Sequence, residues 1–578
     1  MAEGLEAFTH RSMTRALRGT VAVVAVAVAA WFIVLPADLP SVLPTDINGC
    51  FGLNSENDNQ PIQNALVRLD QLLQSADMPE ATMLTARIER CRPRDTLAHI
   101  AMGAGYNEVD QWPETARLLG RAITLAPDEV NVEFRLVLSN ALWLTGRYDD
   151  SIKAGFAALD RAASTGELIA HAAAPLVLRL ARLRHTDEAR DLLSHTQLAR
   201  AVARQGQEQQ QHQALNWMWP AAEALVLDLE EGRVSEADEL YRIAAVRGGS
   251  GSALLDHARQ PFAREVFRAR EGRREKMTTT MDYTTAEQAE RWMSAASDGD
   301  VSGGWAKVRG GTTTSGGGGS GGVCDLDRRS ITNLSREEFI ADYVQQGRPV
   351  VIDGLLDAWP ARSAWTRGAL ERAIVGDTTV PVAHSRDVHR EQQGVAASTA
   401  SETSTAMPLR EYFTLMQQGG EKEDDGQQLY LFTKQARPLG ANLSESADLT
   451  FGGLLGEEGM FSWDAGLREE NVLSFVGAEG SSTAFHHHSA AFNALVFGRK
   501  RWFLLPPAAL SGDARSGDWA RDPVAAFADL PVRPLECEQA AGEIVFVPES
   551  WQHAVVNVDS VAAVGIAVEV GKWVGDAL

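Results

Sequence analysis

Cysteine is scarce in this chain: there are four in 578 residues, and none lies in a Cys-x-x-Cys pair. A cysteine-built zinc module is therefore excluded. Basic charge is also short, with 54 Lys and Arg against 77 Asp and Glu and a formal net charge of -23. That balance opposes non-specific binding to nucleic acid and to anionic membrane surfaces, so no nucleic-acid partner is expected. Long apolar runs are missing except for one near the start, Val21 to Leu35 in TVAVVAVAVAAWFIVLP. Its length falls between a signal-peptide core and a full membrane span, which leaves both readings open. Arg11, Arg15 and Arg18 precede it, Pro36 ends it, and no clean small-x-small cleavage site follows. These flanks favour an uncleaved signal anchor over 20–36 behind a short cytosolic tail, 1–19. After Arg18 the next basic residue is Arg68, and the positive-inside rule then carries everything downstream across the membrane. The expectation is a single-pass membrane protein of the secretory pathway, in the endoplasmic reticulum first of all, with its C-terminal domains lumenal.

An oxidising lumen suits an even cysteine count. Domain boundaries suggest Cys50 with Cys91 and Cys324 with Cys537, although four cysteines allow three pairings. Asn333 and Asn442 each head an Asn-Leu-Ser triplet, a glycosylation acceptor only on the lumenal side.

What the chain has in quantity is bulk: at this length, with 44% hydrophobic residues, it can bury more than one core. From 60 to 300 the apolar residues recur at helical spacing through a stretch rich in Ala, Leu, Arg and Glu. Related phrases return in DQWPETARLLGRAITLAPD, GRYDDSIKAGFAALD, LRHTDEARDLL and EGRVSEADELY, with Trp112, Tyr148 and His185 spaced by 36 and then 37 residues. That period resembles tetratricopeptide repeats, helical hairpins that bury their apolar faces only against one another. The interval from His185 to Val234 departs from it, and an irregular helical bundle is the alternative. Either way this part is expected to bind a protein partner or substrate. A break follows at 301–323, where RGGTTTSGGGGSGG cannot pack a core and reads as a flexible tether. About 20 such residues span roughly 25 Å.

From Cys324 to the end the pattern changes to short β-type runs bounded by Gly and Pro: RPVVIDGL, TTVPVAH, QLYLFTK, NVLSFVG, FNALVFG, KRWFLLPP, GEIVFVPES and VAAVGIAVEV. Eight strands at this spacing predict a jelly-roll or related double-sheet barrel, which can enclose a site. Within it stand His486, His487 and His488. If they lie on a strand, His486 and His488 share a face and His487 points away. His553, after a predicted strand, offers a third ligand. Three imidazoles from two strands suit iron, zinc, copper or nickel, and the spacing alone does not choose among them or exclude a solvated cluster.

The combination GSSTAFHHHSAAFNALVFGRKRWFLLPP and GEIVFVPESWQHAVVNV resembles the JmjC (jumonji-C) branch of the cupins, the Fe(II)- and 2-oxoglutarate-dependent oxygenases. The opening CDLDRRSITNLSREEFIADYVQQGRPVVIDGLLDAW and the stretch RPLECEQAAGEI look closest to its secretory-pathway members. The likeness covers roughly 324–571 and independently favours Cys324 with Cys537. It implies a double-stranded β-helix, Fe(II) and 2-oxoglutarate as cofactors, and oxidation of a protein side chain. It also implies His486 and His553 as the first and last metal ligands, Thr483 and Lys500 on the distal carboxylate of 2-oxoglutarate, and Asn493 and Tyr430 as further cosubstrate contacts. Trp502 and Trp551 read as barrel core. The second ligand, usually Asp or Glu in the family, is His488 here. This exchange raises the charge of the site by one unit without removing a donor, and it brings in a second expectation: an inactive domain kept as a lumenal adaptor.

Overall fold

A computed structural model describes residues 60–165, 169–203, 217–230, 233–246, 253–269, 302–305, 324–373, 379–384, 404–418, 428–433, 472–510, 519, 523–527, 530–558 and 561–570. The expected anchor at 20–36, Cys50, Asn442 and most of the Gly-rich tether lie outside these residues. Among the described residues no helix is long and apolar enough to cross a membrane. The chain divides into two compact units at Gly251 and Ser252.

The first unit is all helix: α1 Gln60–Gln74, α2 Met78–Cys91, α3 Thr96–Glu108, α4 Trp112–Leu125, α5 Val132–Leu144, α6 Tyr148–Thr165, α7 Ile169–Arg182, α8 Thr186–Ala203, α9 Met218–Leu229 and α10 Val234–Ala244. Side-chain caps start several of them, with Asp95 accepting from the Ala98 N–H at 3.0 Å and Asn131 from the Phe134 N–H at 3.1 Å. Such caps contribute about 1 kcal/mol each. The recurring phrases mark real units, because Trp112, Tyr148 and Val234 each open a helix and His185 immediately precedes one. The turn before each of α2, α4, α6 and α8 is also the same. Ala76, Asp110, Gly146 and Arg184 all take left-handed backbone, with φ of 60°, 61°, 78° and 63°. At each turn the next residue's N–H returns to a carbonyl near the end of the preceding helix: Asp77 to Leu72, Gln111 to Tyr106, Arg147 to Leu142 and His185 to Leu180. This is a Schellman-type stop, and it recurs at intervals of 34, 36 and 38 residues. Helices adjacent in sequence pack on one another throughout.

The second unit is built on thirteen strands among the described residues. They are β1 Asp327–Ser330, β2 Val350–Asp353, β3 Thr379–His384, β4 Ser404–Pro408, β5 Leu429–Thr433, β6 Val472–Gly477, β7 Ser482–His486, β8 Ala491–Phe497, β9 Arg499–Leu505, β10 Leu535–Ala540, β11 Ile544–Val547, β12 Gln552–Asn557 and β13 Ala563–Glu569. A nine-stranded sheet runs β1-β2-β11-β8-β13-β6-β5-β3-β4 and faces a four-stranded sheet, β10-β9-β12-β7. From β6 onward the chain passes back and forth between the two sheets, the topology of a double-stranded β-helix. All eight predicted strands are present. The core is aromatic and aliphatic, with Phe339, Phe492, Phe546, Ile544 and Ile566 buried between sheet and flanking helices.

Two boundaries differ from the sequence reading. Two helices in the stretch assigned to the helical domain, α11 Ala253–Ala258 and α12 Pro261–Ala269, belong to the β unit, with Ala263 and Val266 in one cluster with Trp502, Val547 and Trp551. Residues 302–305, assigned to the tether, are part of the barrel too. Trp305 is buried in its core and donates its indole N–H to the Trp365 carbonyl at 3.0 Å. Apolar side chains in low-complexity surroundings still pack when a core receives them. The expected disulfide is present and joins Cys324 to Cys537 on β10 across a sequence separation of 213. Closure of so long a loop restricts the unfolded chain and stabilises by about 5.4 kcal/mol in the entropy treatment. Cys91 is disulfide-bonded as well. Asn333 is exposed in a single 3-10 turn, Ile331–Asn333.

Candidate metal centre

β7 and β12 are neighbours in the four-stranded sheet, and their register sets His486 opposite His553. The two ring centroids are 4.1 Å apart, and the His488 ring stands 5.4 Å from the first and 4.8 Å from the second. One nitrogen from each ring lies within 4.8 Å of the other two, the one such cluster of His, Cys, Asp and Glu among the described residues. His487 is not part of it. The pairing of outer histidines is as expected, but its cause is different. β7 stops at His486, so strand alternation does not carry His488 inward; the turn into β8 does. His553 follows the predicted strand, β11, as expected, and itself lies inside β12.

Each imidazole is held from behind. The Nδ1 atoms of His486, His488 and His553 lie 2.9, 2.6 and 2.9 Å from the carbonyl oxygens of Ala484, Ser489 and Trp551. A carbonyl only accepts, so each Nδ1 carries the proton and donates it. Nε2 is then left as a lone-pair donor in all three rings, the tautomer a metal requires. The Ser550 N–H donates to the His488 carbonyl at 2.9 Å, which it reaches because Ser550 takes left-handed backbone, φ 63°. For a residue with a Cβ that conformation costs on the order of 1–2 kcal/mol.

The other predicted site residues line the same pocket as the histidines: Thr483 on β7, Asn493 on β8, Lys500 on β9 and Tyr430 on β5. Lys500 is 2% exposed. Its Nζ lies 3.3 Å from the Phe475 ring centroid and donates a long hydrogen bond, 3.4 Å, to the Tyr430 hydroxyl. Burial alone drives its pKa well below the ordinary lysine value, and burial likewise raises the Tyr430 phenol. Thr483 Oγ1 and Asn493 Oδ1 are buried without a hydrogen-bond partner. An unmet buried polar group costs about 1–3 kcal/mol. A buried ammonium beside an unmet hydroxyl fits a carboxylate, so the residues present suit a dicarboxylate cosubstrate together with a metal on the histidines. Gly477 lets Asn557 and Tyr430 pack close to β6, since a Cβ there would stand 2.4 Å from Asn557 Nδ2 and 2.6 Å from the Tyr430 ring.

Two residues differ from their expected role. Trp502, read as core, also lines the pocket, with its ring 6.0 Å from that of His553 and its N–H donated to Gln539 at 2.9 Å. Glu569 lines the pocket as well and was not anticipated; as the last residue of β13 it follows the run VAAVGIAV with nothing to mark it. Trp551 is core, as expected, and fully buried.

Comparison with known proteins agrees with this geometry. Residues 335–512 match the family described as cupin-like domain. The chain is 29% identical over 243 residues to human JmjC domain-containing protein 8, 26% over 258 residues to the arginine-specific demethylase JMJ22 of Arabidopsis thaliana, and 26% over 259 residues to the bifunctional arginine demethylase and lysyl-hydroxylase psr-1 of Caenorhabditis elegans. In each case 41% of this chain is covered, against 81%, 46% and 60% of the relative. The chain thus spans about half the length of the plant relative.

Proposed function

We propose, for a chain whose C-terminal part carries a cupin-like domain of the JmjC kind, that this protein is an Fe(II)- and 2-oxoglutarate-dependent oxygenase acting on a protein side chain. The observation that carries the reading is the coexistence, in one pocket, of three histidines with clustered ring nitrogens and of a buried lysine and a buried threonine hydroxyl that has no hydrogen-bond partner. His486, His488 and His553 would hold the metal; Lys500 and Thr483 would hold the distal carboxylate, with Tyr430 and Asn493 beside them. Iron and 2-oxoglutarate supply, when bound, the oxygen chemistry that oxidises a C–H bond while the cosubstrate leaves as succinate and carbon dioxide. The protein's own part is to fix the imidazole tautomers, neutralise the carboxylate away from water and exclude solvent with the Phe475, Trp502 and Tyr430 rings. The named activities of the plant and worm relatives, both on arginine or lysine of proteins, support a side-chain substrate. The helical unit would recruit that protein, and residues 20–36 would anchor a lumenal domain, as the basic flank suggests.

The second reading rests on His488. With imidazole where the family has a carboxylate, the site could bind metal without turning over, and the protein would then be an adaptor. Succinate formation from 2-oxoglutarate that requires Fe(II) and disappears in His486→Ala establishes the oxygenase. Full metal content with no succinate across peptide substrates assigns the adaptor. Protease protection in sealed microsomes tests the topology, and digestion of the β unit from the cytosolic side refutes it.

A further inference from the structure

Outside the pocket, a buried polar cluster of the β unit lies behind the histidines, where α11 and α12 meet the segment between β11 and β12. Asp256 and Gln260 are buried, at 7% and 8% exposure. The Ser550 hydroxyl donates to Asp256 Oδ2 at 2.7 Å. Gln260 uses both ends of its amide: its Nε2 donates to the Glu549 carbonyl at 2.9 Å and its Oε1 accepts the Trp551 indole N–H at 2.8 Å. Those partners allow only one orientation of the amide, since a carbonyl cannot donate and an indole N–H cannot accept. Phe262 stacks on Trp551 with centroids 6.2 Å apart. The close approach of Gln260 is permitted by Gly347, where a Cβ would fall 2.4 Å from the Gln260 side chain.

The clamped residues are the ones that support two ligands. Ser550 gives its N–H to the His488 carbonyl at 2.9 Å, and the Trp551 carbonyl takes the His553 Nδ1 proton at 2.9 Å. Asp256 therefore reaches His488 through one residue, and Gln260 reaches His553 through one residue. We infer that Asp256 and Gln260 are positioning residues for the metal centre, so that a short helical segment lying before the tether sets the geometry of ligands 232 and 293 residues downstream. The inference rests on the metal reading above. It adds that the ligand set includes supports from a part of the chain that precedes Cys324, where the sequence would begin the domain.

Supporting partners of metal-bound histidines typically govern affinity by 10–100-fold, which sets the test. The full chain, freed of metal, is titrated with Co(II) and followed by the d–d absorption of the bound ion. Asp256→Ala and Gln260→Ala are expected to weaken Co(II) binding about tenfold and to alter the band shape, because ring orientation and not only stability is lost. Asp256→Asn keeps an acceptor for Ser550 and should stay within about threefold of the parent. Val266→Ala removes buried packing from α12 and touches no hydrogen bond, so it should leave affinity and spectrum unchanged. Parental affinity and spectrum in both alanine variants overturns the inference, and so does an equal loss in Val266→Ala, which would reduce α12 to a packing element. If Asp256→Ala does not fold, Ser550→Ala takes its place, since it deletes the hydroxyl and keeps the N–H to His488. Co(II) binding that survives His486→Ala is a separate outcome: the metal reading itself falls, and this inference with it.

Discussion

The two ends of the pocket are built in opposite ways. At the histidine end every ring has its far nitrogen satisfied by a carbonyl, and one nitrogen of each ring lies within 4.8 Å of the other two. At the Lys500 end nothing is settled: the ammonium rests on an aromatic face, the Thr483 hydroxyl has no partner, and neither does the Asn493 oxygen. The difference teaches that preorganisation is spent on direction at one end and on unmet demand at the other. Imidazole affinity for a metal depends on tautomer and angle, whereas a carboxylate is captured by charge kept from water.

The largest predicted effect breaks the first end alone. His486→Ala or His553→Ala should lower metal affinity by more than the roughly 100-fold that loss of a supporting partner can give, while His487→Ala leaves metal content at the parental level; elemental analysis after dialysis decides. His488→Ala should fall between, and His488→Asp should retain metal. If His487→Ala strips the metal, the assignment of His486 and His488 as the ligands of this segment is wrong.

Lys500→Met should separate the ends. Binding of 2-oxoglutarate is expected to be lost, metal content to be retained, and the empty protein to become more stable by about 1–2 kcal/mol because a buried amine held by a long hydrogen bond and an aromatic face has gone. Denaturant midpoints measure the last point, and destabilisation would show that the ammonium already has its counter-charge.

The third prediction follows from the depressed Lys500 pKa. In the unfolded chain lysine titrates near its ordinary 10.5 and in the folded, empty protein well below it. Between those values the unfolded state holds more protons, so the contribution of Lys500 to stability rises with pH across that window. A bound carboxylate favours the ammonium, so its affinity should fall as pH rises through the depressed value, with uptake of up to one proton per ligand. Calorimetry in buffers of different ionisation enthalpy detects that uptake; release of protons, or none at any pH, contradicts it. The smallest effect is expected from Thr483→Val, which should weaken carboxylate binding by about fivefold, one hydrogen bond, and leave the empty protein no less stable, since its hydroxyl is unmet to begin with.

Much of this was legible in the sequence, though unevenly. The strands that read clearly are those with buried β-branched runs, such as VVID and IVFV. β1, β4 and β10, with DRRS, STAMP and LECEQA, carry no such signal and are strands because neighbours supply their hydrogen bonds. The two histidines that cluster with His553 were picked out by an alternation that the backbone abandons after His486, which a spacing rule cannot foresee. The repeat period was legible from helix starts, but its cause was hidden. Only Gly146 announces the left-handed turn, while Ala76, Asp110 and Arg184 adopt it at some cost. Asp256 and Gln260 were illegible because their partners, Ser550 and Trp551, are distant in sequence and close only in the fold.

That shared turn also governs how the helical unit comes apart. Its contacts run between helices near in sequence, so its stability is a sum of neighbouring terms and fraying can begin at an end and stop at any hairpin. The β unit pairs residues as far apart as Ile352 and Ile544, and losing one such pair releases its neighbours. Amide exchange on the intact chain should accordingly be graded along 60–246 and uniform in the barrel strands, two melting behaviours within one polypeptide.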